Sequence, residues 1–330
     1  KITYPAYYPM FQCIAGACPD SCCKEWEVDV DDASAAFYRT LEGALGDRLR
    51  QVLKDTEDGT VMVIEDGRCP MWRRDGLCRI QAELGHDALC QTCRQFPRLR
   101  HDYGSFVEFG LELSCPEAAR LILTLPFRWV RDTLPGGEEP EYDQEAMACL
   151  KASREEVLAI LADTSRPVNE TLALMLLYGY QAQGELDGDE IRPFHADSTW
   201  DTIHQLAKPG DFQEILDFFK ELEILTPQWL QRLEHPAPGG FPEELRILAK
   251  YMVERYWLQA VSDYDLTGRV KFILIACLLV AGLGGDPVST AQLFSKEIEN
   301  SAQNVDAILD AAYAHPAFTD ERILGMLLKG

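Results

Sequence analysis

Positive charge is scarce in this chain: 31 Lys and Arg stand against 54 Asp and Glu, a formal net charge of −23. So acidic a surface repels phosphate, which argues against nucleic acid or anionic membrane as a main partner and favours cationic ones. Long apolar runs are also lacking. The longest, Phe272 to Leu283, falls short of the roughly 18–20 residues that span a bilayer, so no membrane helix is expected. The opening Lys1-Ile2-Thr3-Tyr4-Pro5 has neither the basic nor the apolar region of a signal peptide, and a cytoplasmic location is expected. A phosphate-cradling glycine turn is missing too. Gly282-Leu283-Gly284-Gly285 follows a helical stretch, and Pro287 stands where G-x-G-x-x-G needs its third glycine. That segment reads as a helix stop, not as a Rossmann-type cofactor turn. No internal repeat or low-complexity tract is present.

What the chain does contain is a globular composition: 330 residues, 47% hydrophobic and 10% aromatic. That is enough apolar mass for a sizeable core, and it excludes disorder as the main state. Residues 1–125 carry 14 basic against 20 acidic side chains, and the remainder 17 against 34. Composition and charge change together there, so the expected fold is mainly α. A small cysteine-rich, metal-binding α+β domain (1–125) would precede an all-α domain (126–330), which would bind a substrate or partner, with a linker beginning at Pro135-Gly136-Gly137.

In the first domain, Asp31 and Asp32 can cap a helix in which Phe37, Leu41, Leu45, Leu49 and Leu53 recur at i+4. Val61–Ile64 and Phe106–Leu113 have strand character, and Asp75-Gly76 is a turn signal. A short helix from Ile80 should stop at Gly85, another should carry Cys90 and Cys93, and Pro116 should open a third. Beyond the linker, helical periodicity covers 144–162, 169–183, 212–224, 245–257, 288–313 and 319–328.

Cysteine is distributed very unevenly. Of 11, nine lie in the first 115 residues: Cys13, Cys18, Cys22, Cys23, Cys69, Cys78, Cys90, Cys93 and Cys115. Cys149 and Cys277 read as small core residues. A disulfide framework needs an oxidising compartment, and neighbours such as Cys22 and Cys23 are poorly placed to bond each other. Metal binding is the better reading, because Cys90-x2-Cys93 and its companions can turn thiolates towards a shared centre. Nine thiols suffice for two four-ligand sites with one spare, or for one site plus buried free cysteines. Zinc and iron–sulfur clusters use the same ligands, and the spacing does not separate them. His86 and His101 are the only histidines nearby and read as ordinary surface.

The motifs Phe11-x-Cys13-x4-Cys18-x3-Cys22-Cys23, Cys69-Pro70, Asp75-Gly76-Leu77-Cys78-Arg79-Ile80, Leu89-Cys90-x2-Cys93-Arg94-x-Phe96-Pro97-Arg98 and Ser114-Cys115-Pro116-Glu117 resemble the flagellin lysine N-methylase family. The C-R-x-F-P core is shared with a wider group of zinc- or iron-chelating proteins. The resemblance continues through Tyr251-x3-Arg255-Tyr256 and Asp263-x-Asp265-Leu266 to Val270-Lys271-Phe272. It implies methyl transfer from S-adenosylmethionine to lysine ε-amines of flagellin, and a [4Fe–4S] cluster in preference to zinc. The C-x3-C-x2-C signature of radical S-adenosylmethionine chemistry is incomplete, since Glu25 stands where its third cysteine would be.

Several other side chains are candidates beside the nine thiols. Trp26, with Tyr4, Tyr7, Tyr8 and Phe11, can offer aromatic surface to a cation or pack round the metal loop, and packing is the favoured reading. Arg94 and Arg98 can bind the cofactor's carboxylate. Arg255, Asp263 and Asp265 are either substrate-facing or a buried Arg–Asp pair; no catalytic residue is assigned. A non-enzymatic metal-binding adaptor and an iron–sulfur redox protein are the competing functions.

Overall fold

The computed structural model describes residues 1–329 except 25, 127 and 134–140. The expected linker at 135–137 and Glu25 therefore lie outside the described residues. The fold is mainly α, with fifteen α-helices and seven strands among the described residues.

Strands β1 (Ile2–Pro5), β5 (Arg98–Asp102), β6 (Val107–Leu111) and β7 (Trp129–Asp132) form one sheet in the order β5-β6-β1-β7, with β1 parallel to β6 and antiparallel to β7. Strands β2 (Val28–Val30), β3 (Leu53–Thr56) and β4 (Gly59–Met62) form an antiparallel sheet in the order β2-β4-β3. Because β7 lies beyond residue 125 and pairs with β1, the later segment is not all-α as expected. Its Trp129-Val130-Arg131-Asp132 sequence is too short and too charged to read as a strand without its partner.

Around the small sheet pack α1 (Asp32–Thr40), α2 (Gly43–Val52), α3 (Arg79–Leu84) and α4 (Gln91–Gln95). The single i+4 helix expected over 37–53 is thus two helices and a strand. Gly43 adopts φ +76°, which no helix interior tolerates, and Phe37 points outward at 44% exposure. The turn at Asp75-Gly76, the stop at Gly85 (φ +90°) and the start of α5 (Pro116–Thr124) are as expected.

The remaining helices form the body: α6 (Gln144–Ala162), α7 (Val168–Leu186), α8 (Ala196–Leu206), α9 (Phe212–Glu221), α10 (Pro227–Glu234), α11 (Glu243–Tyr256), α12 (Leu266–Leu283), α13 (Pro287–Phe294), α14 (Ala302–Ala314) and α15 (Asp320–Leu327). Apolar on every side, α12 runs through the centre of this body with 83% of its length buried, as a core helix must. It stops at Gly284 (φ +64°), and α13 begins at Pro287. Helix does not continue unbroken over 288–313, because a π-helical turn, Ser295–Glu299, and a new cap at Ser301 interrupt it.

The apolar cores do not divide at residue 125. The smaller is built from residues Val28 to Cys90. The larger joins the helical body to Tyr7, Phe11, Phe106, Leu111, Leu113 and the buried face of α5. The four-stranded sheet and α5 therefore belong by packing to the body, although the cysteine pattern groups them with the first domain.

Candidate metal centre

Eight of the nine thiols lie in two adjoining neighbourhoods, and Cys93, exposed on α4, sits beside Cys90 near both. Cys69 and Cys90 are buried in the small core, and Cys23 and Cys78 pack against it. The backbone holds them there: Cys69 N–H donates to Cys23 O (2.8 Å), and Trp72 bridges to Cys78 across the Asp75-Gly76 turn. Asp31 positions Cys90, since one carboxylate oxygen caps α1 at Ser34 N (3.0 Å) and the other accepts from Gln91 N (2.8 Å) at the start of α4. Tyr38 adds a bond from its hydroxyl to Ala88 O (2.7 Å).

Cys13, Cys18, Cys22 and Cys115 lie outside that core, at the seam with the helical body. Cys115 packs on the larger core, whereas Cys13 and Cys22 are exposed. Gln292 of α13 ties the seam together by donating to Ser114 O (2.6 Å) and to an Asp20 carboxylate oxygen (3.4 Å). Loop 13–18 is pressed onto the cysteine-bearing turn. A Cβ on Gly16 would lie 2.7 Å from Asp75 O, and one on Gly76 (φ +78°) 2.9 Å from Gly16 Cα. Only glycine fits at these two positions.

Two pairs of thiols hydrogen-bond. Cys22 donates to Cys23 and Cys93 to Cys90, which lowers the acceptors Cys23 and Cys90 to about 7 and raises the donors. Burial is the main influence at Cys69, pushed up to about 12, and at Cys115, pushed up to about 11. Among the described residues no three Cys, His, Asp or Glu side chains converge on one point as they would round an ion. The donor chemistry suits a soft, thiophilic metal, with the donors gathered but not closed.

The other predicted residues are scattered. Trp26 is half-buried at the edge of the small core, with Lys296 Nζ 5.2 Å from its ring centroid. Arg94, exposed on α4, reaches Asp87 O (3.4 Å), and the exposed Arg98 lies over Phe11 at 5.2 Å. Tyr7 and Phe11 are core residues, and Tyr8 lies between the tilted rings of Tyr4 and Phe109, so these aromatics pack as expected. His86 is exposed, and His101 pairs across β5–β6 with Glu108.

Of the two alternatives for Arg255, Asp263 and Asp265, the buried Arg–Asp pair is not formed. Arg255 binds Tyr251 Oη (2.8 Å), Glu299 (3.3 Å) and Glu112 (3.7 Å) in the interior. Asp263 pairs with Arg269 (2.9 Å), while Asp265 caps α12 at Gly268 N (2.8 Å) and accepts from the Tyr313 hydroxyl. Both carboxylate partners of Arg255 come from distant segments, β6–α5 and the π-turn, which local spacing does not reveal.

Sequence reasoning also missed Asp20, Gln292 and Lys296. Lys296, 2% exposed, binds both Asp20 oxygens (3.2 and 2.9 Å). The one available signal was the charged run Lys296-Glu297-Ile298-Glu299 inside the expected helical stretch 288–313. The π-turn accommodates that run and points its charges at different partners. Two clefts, of 340 and 380 Å³, lie elsewhere. Phe106, Trp129 and Lys151 line one, Phe218 and His315 the other, and neither includes a cysteine.

A flagellar biosynthetic protein FliU of Salmonella muenchen is 31% identical to this chain over 153 residues, 44% of this chain and 88% of that protein. This chain belongs to the flagellin lysine N-methylase family. Two proteins named lysine-N-methylase, from Salmonella typhimurium and Salmonella choleraesuis, are 34% and 33% identical over 132 residues, 38% of this chain. The match spans only 33% of the length of each of these two relatives. No protein-family model and no solved structure matches the chain.

Proposed function

We propose that this protein transfers a methyl group from S-adenosylmethionine to lysine side chains of flagellin, in the cytoplasm, and that its cysteines hold a [4Fe–4S] cluster, with zinc as the competing metal. The observation that carries the reading is the similarity over 132 residues to two proteins named lysine-N-methylase. In the reaction the ammonium first loses its proton to solvent. The amine lone pair then forms the N–C bond as the S–CH3 bond breaks, and S-adenosylhomocysteine leaves.

The chain's own residues supply compatible surroundings. Its charge of −23 attracts a cationic lysine-bearing partner. Trp26 offers an aromatic face to a sulfonium or ammonium, and the exposed Arg94 and Arg98 suit a carboxylate. Asp263 and Asp265, at the surface loop before α12, suit a cationic substrate, while the interior Arg255 is a positioning residue. A cluster held by the nine thiols would supply a soft, redox-active centre beside these groups.

Mass spectrometry of flagellin incubated with anaerobically purified protein and S-adenosylmethionine tests the reading. Lysines heavier by one or more methyl groups are expected. Metallated protein that binds flagellin but adds no methyl group favours the non-enzymatic adaptor.

A further inference from the structure

We propose that the cleft between the four-stranded sheet and α6 binds a small organic carboxylate with a planar apolar body. Lys151 receives the carboxylate, and Phe106 and Trp129 receive the body. No cysteine lines this cleft, and the inference stands apart from the methyl-transfer reading.

A sheet face that packs on a helix is ordinarily apolar. Here Glu108, Thr3 and Arg131 form one cross-strand row over β6, β1 and β7. Opposed residues on neighbouring strands share a face, and this row lines a space of 340 Å³ together with Lys151, Arg154 and Glu155 of α6. That volume suits one small molecule. Polar groups standing where packing calls for apolar ones are a mark of function.

The charges in the cleft are committed unequally. Arg154 holds both Glu108 oxygens (2.8 and 2.7 Å) and lies 3.5 Å from Glu254, while Arg131 lies 3.7 Å from Glu155. Lys151 has no carboxylate partner among the described residues. Its Nζ sits 3.5 Å from the ring centroid of Phe106, which in turn stacks on Tyr103 with 4.8 Å between centroids. Burial lowers the pKa of this ammonium, Glu108 opposes the fall and Arg154 adds to it. Its donors are thus held beside a rigid apolar wall, and a carboxylate would complete them. A phosphate dianion suits the cleft less, because Glu108, Asp132 and Glu155 also line it and the whole chain carries −23. Trp129, half-buried with its Nε1 given to Glu254, contributes ring surface for the apolar body.

The experiment is calorimetric titration of the full chain with phenylacetate, phenethyl alcohol, phenethylamine and phenyl phosphate, with hydrogen exchange to locate the bound probe. Phenylacetate should saturate one site and raise protection over β1, β7 and α6. The alcohol and the amine should bind at least about tenfold more weakly, which is what one charge-assisted hydrogen bond contributes. Lys151→Gln should weaken phenylacetate by a similar factor and leave the alcohol unchanged. The control Lys208→Gln, exposed beside Glu321, should bind as wild type does. Should Lys151→Gln fail to fold, the ratio of acid to alcohol in wild type and the exchange map still decide. Equal binding of acid, alcohol and amine overturns the proposal, as does phenyl phosphate binding more tightly than phenylacetate. Protection that rises away from β1, β7 and α6, or no saturable binding of phenylacetate, overturns it too.

Discussion

Glu254 is a carboxylic acid held in the interior of α11, and the pH dependence of stability should reveal it. Its side chain is 7% exposed. One oxygen accepts from Trp129 Nε1 (2.8 Å), and the other lies 3.5 Å from Arg154, whose guanidinium is already committed to Glu108 through two bonds of 2.8 and 2.7 Å. Two carboxylates thus share one cation. Burial outweighs the pull of Arg154 and Trp129, and Glu254 rises from an ordinary 4.5 to about 7.

The folded protein therefore binds a proton on Glu254 that the unfolded chain has released between those two values. The contribution is complete below pH about 4.5 and is lost as the pH climbs through about 7, with a span of about 3 kcal/mol. Glu254→Gln keeps an acceptor for Trp129 but cannot titrate. Urea unfolding followed by tryptophan fluorescence should be run on both proteins in steps from pH 4 to 9. The stability of wild type minus that of the variant should fall across pH 4.5–7 and level off above about 8. A difference that stays flat, or rises, refutes the buried-acid account.

Chelation of anaerobic protein should raise hydrogen exchange over residues 13–93 while α6, α7, α11 and α12 keep their protection, because only the first region depends on metal to close its loops; uniform loosening would contradict this. Arg255→Ala leaves Glu112 and Glu299 buried without their cation and should cost about 3–5 kcal/mol in denaturant unfolding; a loss under 1 kcal/mol would show that water reaches them. Gly284→Ala forces a Cβ to 1.7 Å from Ala237 O at a φ of +64° and should cost at least about 1–3 kcal/mol, read as a lower melting temperature. Gly16→Val should leave the helical body intact but move the 13–18 loop off the Asp75-Gly76 turn, seen as faster alkylation of Cys13 and Cys18 in metal-free protein.

Much of this molecule was legible in its residues. Helical periodicity located α6 at its observed bounds, and Pro116, Gly85 and Gly284 punctuated helices where their backbone chemistry requires it. The clustered cysteines and their motifs pointed to the family. These features are local: a cap, a turn or a 3.6-residue repeat depends on neighbours a few positions away.

What tertiary structure alone decided is which distant segments share a core. Strands β1 and β7 are short and carry no clear alternation, so their pairing shows only once β6 stands beside β1. The break at 295–301 depends on buried partners for Lys296 and Glu299 supplied by Asp20 and Arg255. Arg255 took Glu112 and Glu299 in place of nearby Asp263 and Asp265, because α11 points it inward while those aspartates sit at the surface. Burial and charge pairing act through space, so a chain read residue by residue shows which groups are available but not which of them meet.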